Sequence, residues 1–270
     1  QPIPARHHWN QSLLLVPGEV LEPARLEAAL ARLIQHHDAL RLRFVQQADG
    51  WQQSHAADVS EPLLWQCQAS TDAELAVLCD EAQRSLDLAQ GPLLRAALVN
   101  WADGSQRLLL VIHHLVVDGV SWRILLEDLQ QAYREQVLPA KTSAYQRWAQ
   151  QLHRHAQTVE EQLPYWQAQS IDAELPCDHP EGGLQNRLGA KLETRLDVEH
   201  TLRLLQDAPA AYRTQVNDLL LTALARVISR WSEQPAALIQ LEGHGREDLF
   251  DDIDLSRTVG WFTSLYPVRL

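Results

Sequence analysis

Residues 107–133 read RLLLVIHHLVVDGVSWRILLEDLQQAY, and the class of the fold turns on this stretch. It opens with an unbroken apolar run, 108–112, far shorter than the ~20 residues a membrane helix needs. A short continuous run of this kind suits a strand covered on both faces. The period then changes. From Ser121 onward Trp122, Leu125, Leu126, Leu129, Ala132 and Tyr133 fall on one face of a helix, with Pro139 read as its stop. Between strand and helix sit His113, His114, Asp118 and Gly119. A junction of this type holds side chains rigidly while exposing them to a cleft.

Ahead of this stretch, residues 93–99 pair with 107–115 around the turn Asp103-Gly104, and 11–16 and 41–45 read as further strands. Helical spacing appears over 22–37 (Leu26, Leu30, Leu33, Ile34), 71–88 and 144–165, and Asp49-Gly50 marks a hairpin before Trp51. Pro176, Pro180 and Gly182-Gly183 make 171–187 the expected linker. Beyond it, 188–196 alternates like a strand, 216–231 is an apolar helix, 237–241 alternates again, and 261–270 is strand-like. Interleaved strands and helices predict an α/β (α+β) class with a mixed sheet. The expected division is an N-terminal lobe, 1–175, and the start of a C-terminal lobe, 176–270.

Composition narrows the function. Lys and Arg number 23 against 35 Asp and Glu, a net charge of −12, the wrong balance for a nucleic-acid binder. Three cysteines, 67, 79 and 177, form no CxxC pair, which points to a reduced, cytoplasmic protein without a disulfide frame or zinc site. The opening QPIP has no mark of a secretory signal, and no run is long enough for a membrane partner.

Three constellations carry chemistry. HHLVVDG, residues 113–119, offers an imidazole suited to proton transfer near neutral pH; adjacent histidines point differently, so only one is expected to react. EGHGRE, residues 242–247, places Glu242, His244 and Arg246 among glycines that permit tight turns. Residues 254–268 read DLSRTVGWFTSLYPV, with Arg257 near the start. Taken singly, these are also two structural histidines beside a turn, a mixed-charge loop, and a buried strand with a close-packing glycine.

Together, HHxxxDG continuing as GVSWRIL, EGHGRE, and RTVGWFTxxYPV resemble the epimerization domains of nonribosomal peptide synthetases, within the condensation-domain superfamily. Fainter likenesses keep the same order: HHWNQ at 7–11, HDALR at 37–41 (Asp where Glu is usual), and NDLLLTA at 217–223. The family's PIQxWFF opening is shortened to Pro2-Ile3 here, and its glycine-rich and FNY-type motifs beyond YPV are not in the sequence, so the second lobe is expected to be incomplete.

The resemblance implies two chloramphenicol-acetyltransferase-like lobes in a V, with His114 from the first and Glu242 from the second as the catalytic pair. It implies inversion at the Cα of an aminoacyl or peptidyl thioester, L to D/L, by proton removal and return. His113, Asp118, Gly119, Ser121, Trp122, His244, Arg246 and Arg257 are expected in support, with Asp118 structural and paired to Arg257. The phosphopantetheine arm comes from an upstream peptidyl carrier protein domain, so the domain is expected to bind no cofactor or metal of its own; a condensation domain of the next module is the downstream partner. Two alternatives remain: a condensation domain forming a peptide bond, against which EGHGRE and RTVGWFT argue, and an inactive carrier-docking fragment.

Overall fold

The computed structural model describes residues 4–57, 62–171, 175–183 and 185–270. The reading of the first three residues, and part of the expected linker, lie outside them. The chain forms two compact groups of contacts, 1–158 with 244–264, and 159–243 with 265–270. The segment carrying RTVGWFT, read as part of a C-terminal lobe, thus packs within the first group.

The first group is built from β1 (Asn10–Leu15), α1 (Pro23–His36), β2 (Leu42–Gln47), β3 (Gly50–His55), β4 (Leu64–Ala69), α2 (Asp72–Arg84), β5 (Leu94–Trp101), β6 (Gln106–His113), α3 (Gly119–Tyr133) and α4 (Tyr145–Ala156). Its main sheet has the order β1-β6-β5-β4, with β6 antiparallel to both neighbours and β4 parallel to β5. A mixed sheet with helices on both faces is the α/β (α+β) class expected. The apolar run in β6 is covered twice, as its composition requires. Leu108, Leu110 and Ile112 join α1 and α3 in the main core, while Leu109 and Val111 face Ala82 and Leu86 at the α2 side. β2 and β3 form a separate hairpin, turning at residues 48–49 rather than at Asp49-Gly50.

Element ends follow local chemistry. Thr71 caps α2 by accepting from the Glu74 amide, and Asp118 caps α3 by accepting from the Ser121 amide, so α3 starts two residues before Ser121. Helix α3 ends at Tyr133, well short of Pro139, and α2 ends at Arg84, because Leu86 and Leu88 leave the helical period to enter the core.

In the second group, α5 (Leu163–Gln169), α6 (Val198–Leu202), α7 (Ala208–Tyr212) and α8 (Val216–Ser232) precede β7 (Leu238–Gly243), which pairs with β8 (Ser264–Arg269). The expected helix over 144–165 is two helices, α4 and α5. The strand expected over 188–196 is absent: Asn186–Leu188 is a 3-10 turn, the residues after it are irregular, and Leu192 is 98% exposed. Alternation makes a strand only where a partner supplies the ladder, and no described residue pairs with this segment. No helix among the described residues is long and apolar enough to cross a membrane.

Candidate active site at the HHxxxDG turn

The turn is placed by the sheet. Register sets Asn10 of β1 opposite His113 of β6, and the Trp9 carbonyl accepts from the His114 amide at 2.8 Å. The start of β1 is therefore fastened to the point where β6 ends.

The two histidines have different tasks. His113 is 1% exposed. Its Nε2 donates to the Arg6 carbonyl at 2.8 Å, and its Nδ1 accepts from the Leu115 amide at 3.2 Å. Burial holds its pKa below the usual histidine value, against the opposing bond to Arg6. With both nitrogens used in the fold, it has none to offer a substrate.

His114 is half-buried. Its Nδ1 lies 3.0 Å from the Val117 carbonyl, which can only accept, so Nδ1 carries the proton. Nε2 is then left as the basic nitrogen, 3.3 Å from the Gln11 side-chain amide nitrogen. The ring is boxed by indoles: Trp261 at 4.7 Å between centroids, tilted 36°, and Trp9 edge-on at 5.7 Å. Trp9 and Trp261 also meet edge-on, at 5.4 Å. Such packing fixes the ring plane.

Asp118 is fully employed. Besides capping α3 it accepts from Arg246 Nη2 at 3.0 and 3.1 Å and from the Phe262 amide at 3.1 Å. Its cationic partner is therefore Arg246 and not Arg257, which corrects the expectation from the family pattern. The Arg246 side chain is 8% exposed; it also donates to the Thr258 carbonyl at 2.7 Å and to Ser121 Oγ at 2.9 Å, and lies over the Phe262 ring at 3.8 Å. Ser121 Oγ donates to the Gly260 carbonyl and accepts from the Gly260 amide, at 2.9 and 3.1 Å. One buried network thus sews the 244–264 segment onto the histidine turn, and Ser121 is a link in it with no face on a cleft.

Arg257 is engaged elsewhere on α3, donating to Asp128 Oδ1 at 2.6 Å and to Glu127 at 3.1 Å. Asp128 also accepts from His37 Nε2 at 2.7 Å. Burial would raise the Asp128 carboxyl, but His37 and Arg257 outweigh it and hold it below the usual carboxylate range. His36, His37 and Asp128 are a group among the described residues with donor atoms close enough to share a cation. Both Asp128 oxygens are already taken, so an ion there would have to displace an arginine or a histidine.

This arrangement and the sequence motifs agree with what other proteins show. The condensation-domain family matches over residues 1–270. The chain belongs to the condensation-domain family. It is 47% identical, over 98% of its length, to a linear gramicidin synthase polypeptide of Brevibacillus parabrevis, of which it spans 5%. Its structure is similar to that of the epimerization domain from the third module of tyrocidine synthetase B, with a TM-score of 0.91 and 37% identity, covering 98% of this chain and 64% of that one. The X-domain from teicoplanin biosynthesis, at 24% identity and a TM-score of 0.80, shares the fold.

The remaining expected residues of this condensation-family chain fall as follows. Gly119 begins α3, and a Cβ built there meets nothing within 4 Å, so the fold does not demand glycine. Gly245 is the opposite case: its φ is +66°, and a Cβ would strike the Phe262 carbonyl at 1.6 Å. His244 is exposed, with Nδ1 accepting from the Arg246 amide at 3.0 Å. Glu242 lies on β7, in the second group. Sequence reasoning missed Gln11, whose only signal was its place in HHWNQ, and gave Trp261 no part beyond its motif.

Proposed function

We propose that this chain belongs to an epimerization domain of a nonribosomal peptide synthetase, which inverts the Cα of an aminoacyl or peptidyl thioester. The observation that carries the reading is the packing of Arg246, from EGHGRE, and Trp261, from RTVGWFT, onto the HHxxxDG turn; by resemblance these two motifs set epimerization apart from condensation. Similarity to the tyrocidine synthetase epimerization domain supports it.

In this reading His114 Nε2 exchanges a proton with Cα on one face, and Glu242 serves the other. The thioester acidifies that C–H, and loss of the proton leaves an enolate; return of a proton from the opposite side inverts the centre. Each positioned group contributes about 10²–10⁴-fold. The substrate arrives on the phosphopantetheine arm of an upstream peptidyl carrier protein domain, and a downstream condensation domain consumes the D-product. The catalytic work is done in the cytoplasm.

The test is to load the carrier with one L-aminoacyl thioester in deuterated water, then follow label at Cα and the D:L ratio after hydrolysis. Label with a mixed D:L product is the expected result. No label, with peptide formed once a downstream acceptor is added, would assign the chain to condensation instead; neither label nor peptide would leave the docking-fragment reading.

A further inference from the structure

The hydrogen bonds around His114 form a one-way chain. Trp122 Nε1 lies 2.8 Å from Gln11 Oε1. An indole N–H can only donate, so it fixes which end of the Gln11 amide is oxygen. The other end, Nε2, is then a donor, and it lies 3.3 Å from His114 Nε2. His114 in turn donates from Nδ1 to the Val117 carbonyl at 3.0 Å. Every orientation follows from the two groups that have no choice, the Trp122 indole and the Val117 carbonyl.

We infer that Gln11, held by Trp122, is a positioning residue whose N–H faces His114 Nε2 and holds the ring in its Nδ1–H tautomer until a substrate C–H displaces the amide and takes up the Nε2 lone pair. The inference rests on the reading of His114 as the proton-transfer group. Its consequence is specific. Once Nε2 takes a proton from Cα, two N–H groups face each other. Gln11 cannot turn its oxygen toward the imidazolium without giving up the bond to Trp122. The protonated ring therefore finds no acceptor in Gln11 at Nε2 while the Trp122 bond holds. The 3.3 Å contact is long for a hydrogen bond, so a substrate C–H can displace it at small cost. The titratable and charged groups on the elements packed about His114 are the neighbouring His113, a neutral ring bonded to the Arg6 carbonyl, and the Asp118–Arg246 pair; Trp9, Gln11 and Trp261 add no charge.

Two substitutions separate this from a packing role. In Gln11→Glu the carboxylate still accepts from Trp122 but now also accepts from a protonated Nε2. In Trp122→Phe the amide is released and can turn its oxygen to the imidazolium. The full chain is labelled with 15N-histidine, His114 is assigned by its loss in His114→Ala, and the ring nitrogens are followed against pH. Wild type is expected to show Nδ1–H and unprotonated Nε2. The pH of half-protonation is expected to rise by one unit or more in Gln11→Glu, and by less in Trp122→Phe. The acid limb of kcat for Cα deuterium exchange moves the same way, with KM unchanged.

A wild-type ring carrying its proton on Nε2, or a Gln11→Glu ring that titrates where wild type does, overturns the inference. If wild type exchanges no Cα proton at all, the epimerase reading falls while the ring titration still decides the role of Gln11. A third variant, Gln11→Leu, guards against misreading instability: it is expected to lower kcat about tenfold, within what a positioned base supplies, at unchanged KM. Full kcat in that variant counts against the inference.

Discussion

The two charge clusters on α3 are built alike and sit differently. At its N-terminal end Asp118 is gripped by Arg246, and ten residues on Asp128 is gripped by Arg257 and His37. Both arginines come from the 244–264 segment, and both carboxylates are at most 5% exposed. Only the first cluster touches the histidine turn: Asp118 is four residues from His114 and bonds the Phe262 amide, next to the Trp261 that stacks on His114. The second borders a cleft of about 890 Å³ lined by His36, Lys141, His153 and Arg154 among others. The same device therefore braces the histidine turn at one end and fastens the segment at the other.

The largest expected effect is at the first cluster. Asp118→Ala leaves Arg246 buried without its counter-ion, which costs about 3–5 kcal/mol and removes activity with it. Denaturant unfolding and the exchange assay should both register this; a stable, inactive Asp118→Ala would mean that the carboxylate acts on substrate. At the second cluster, Asp128→Asn is expected to cost about 2–4 kcal/mol by the same argument while kcat falls less than tenfold. Equal loss of kcat in the two variants, measured below their unfolding transitions, would erase the contrast.

Acid should weaken both ends, in sequence. The folded chain holds His113 below its ordinary value of about 6.5, so the unfolded chain takes up that proton first, and stability falls as pH drops below about 6.5. Asp128, depressed in the fold, contributes stability that is lost further down, as pH falls through its folded value. Denaturant midpoints between pH 7.5 and 5 should fall in wild type and fall less in His113→Asn. Equal slopes would contradict the assignment. The smallest structural effect is at Gly119: Ala at this position changes stability by less than about 1 kcal/mol, since nothing opposes its Cβ and its backbone is ordinary helix. If exchange nevertheless drops by tenfold or more, the open space there is used by substrate.

How far the sequence reached depended on partners. The β6 run, the turn and α3 could be read because a doubly covered strand and an amphipathic helix each write their burial into the residue pattern. Residues 188–196 carried a strand's alternation without a strand to pair with. The partner of Asp118 was misread because the sequence offers two arginines, 246 and 257, within reach of two buried carboxylates, and only folding decides the match. Gln11 was hidden for a related reason: its role comes from the β1–β6 register and the Trp122 indole, which no local pattern announces.

The proposed pair, His114 and Glu242, is tested by removing each group in turn. His114→Ala and Glu242→Gln should each be loaded on the carrier side as well as wild type and then assayed for the D:L ratio from an L-aminoacyl thioester. Both variants are expected to leave the substrate as the L-form with normal loading; full inversion in both would remove His114 and Glu242 from the proton transfer.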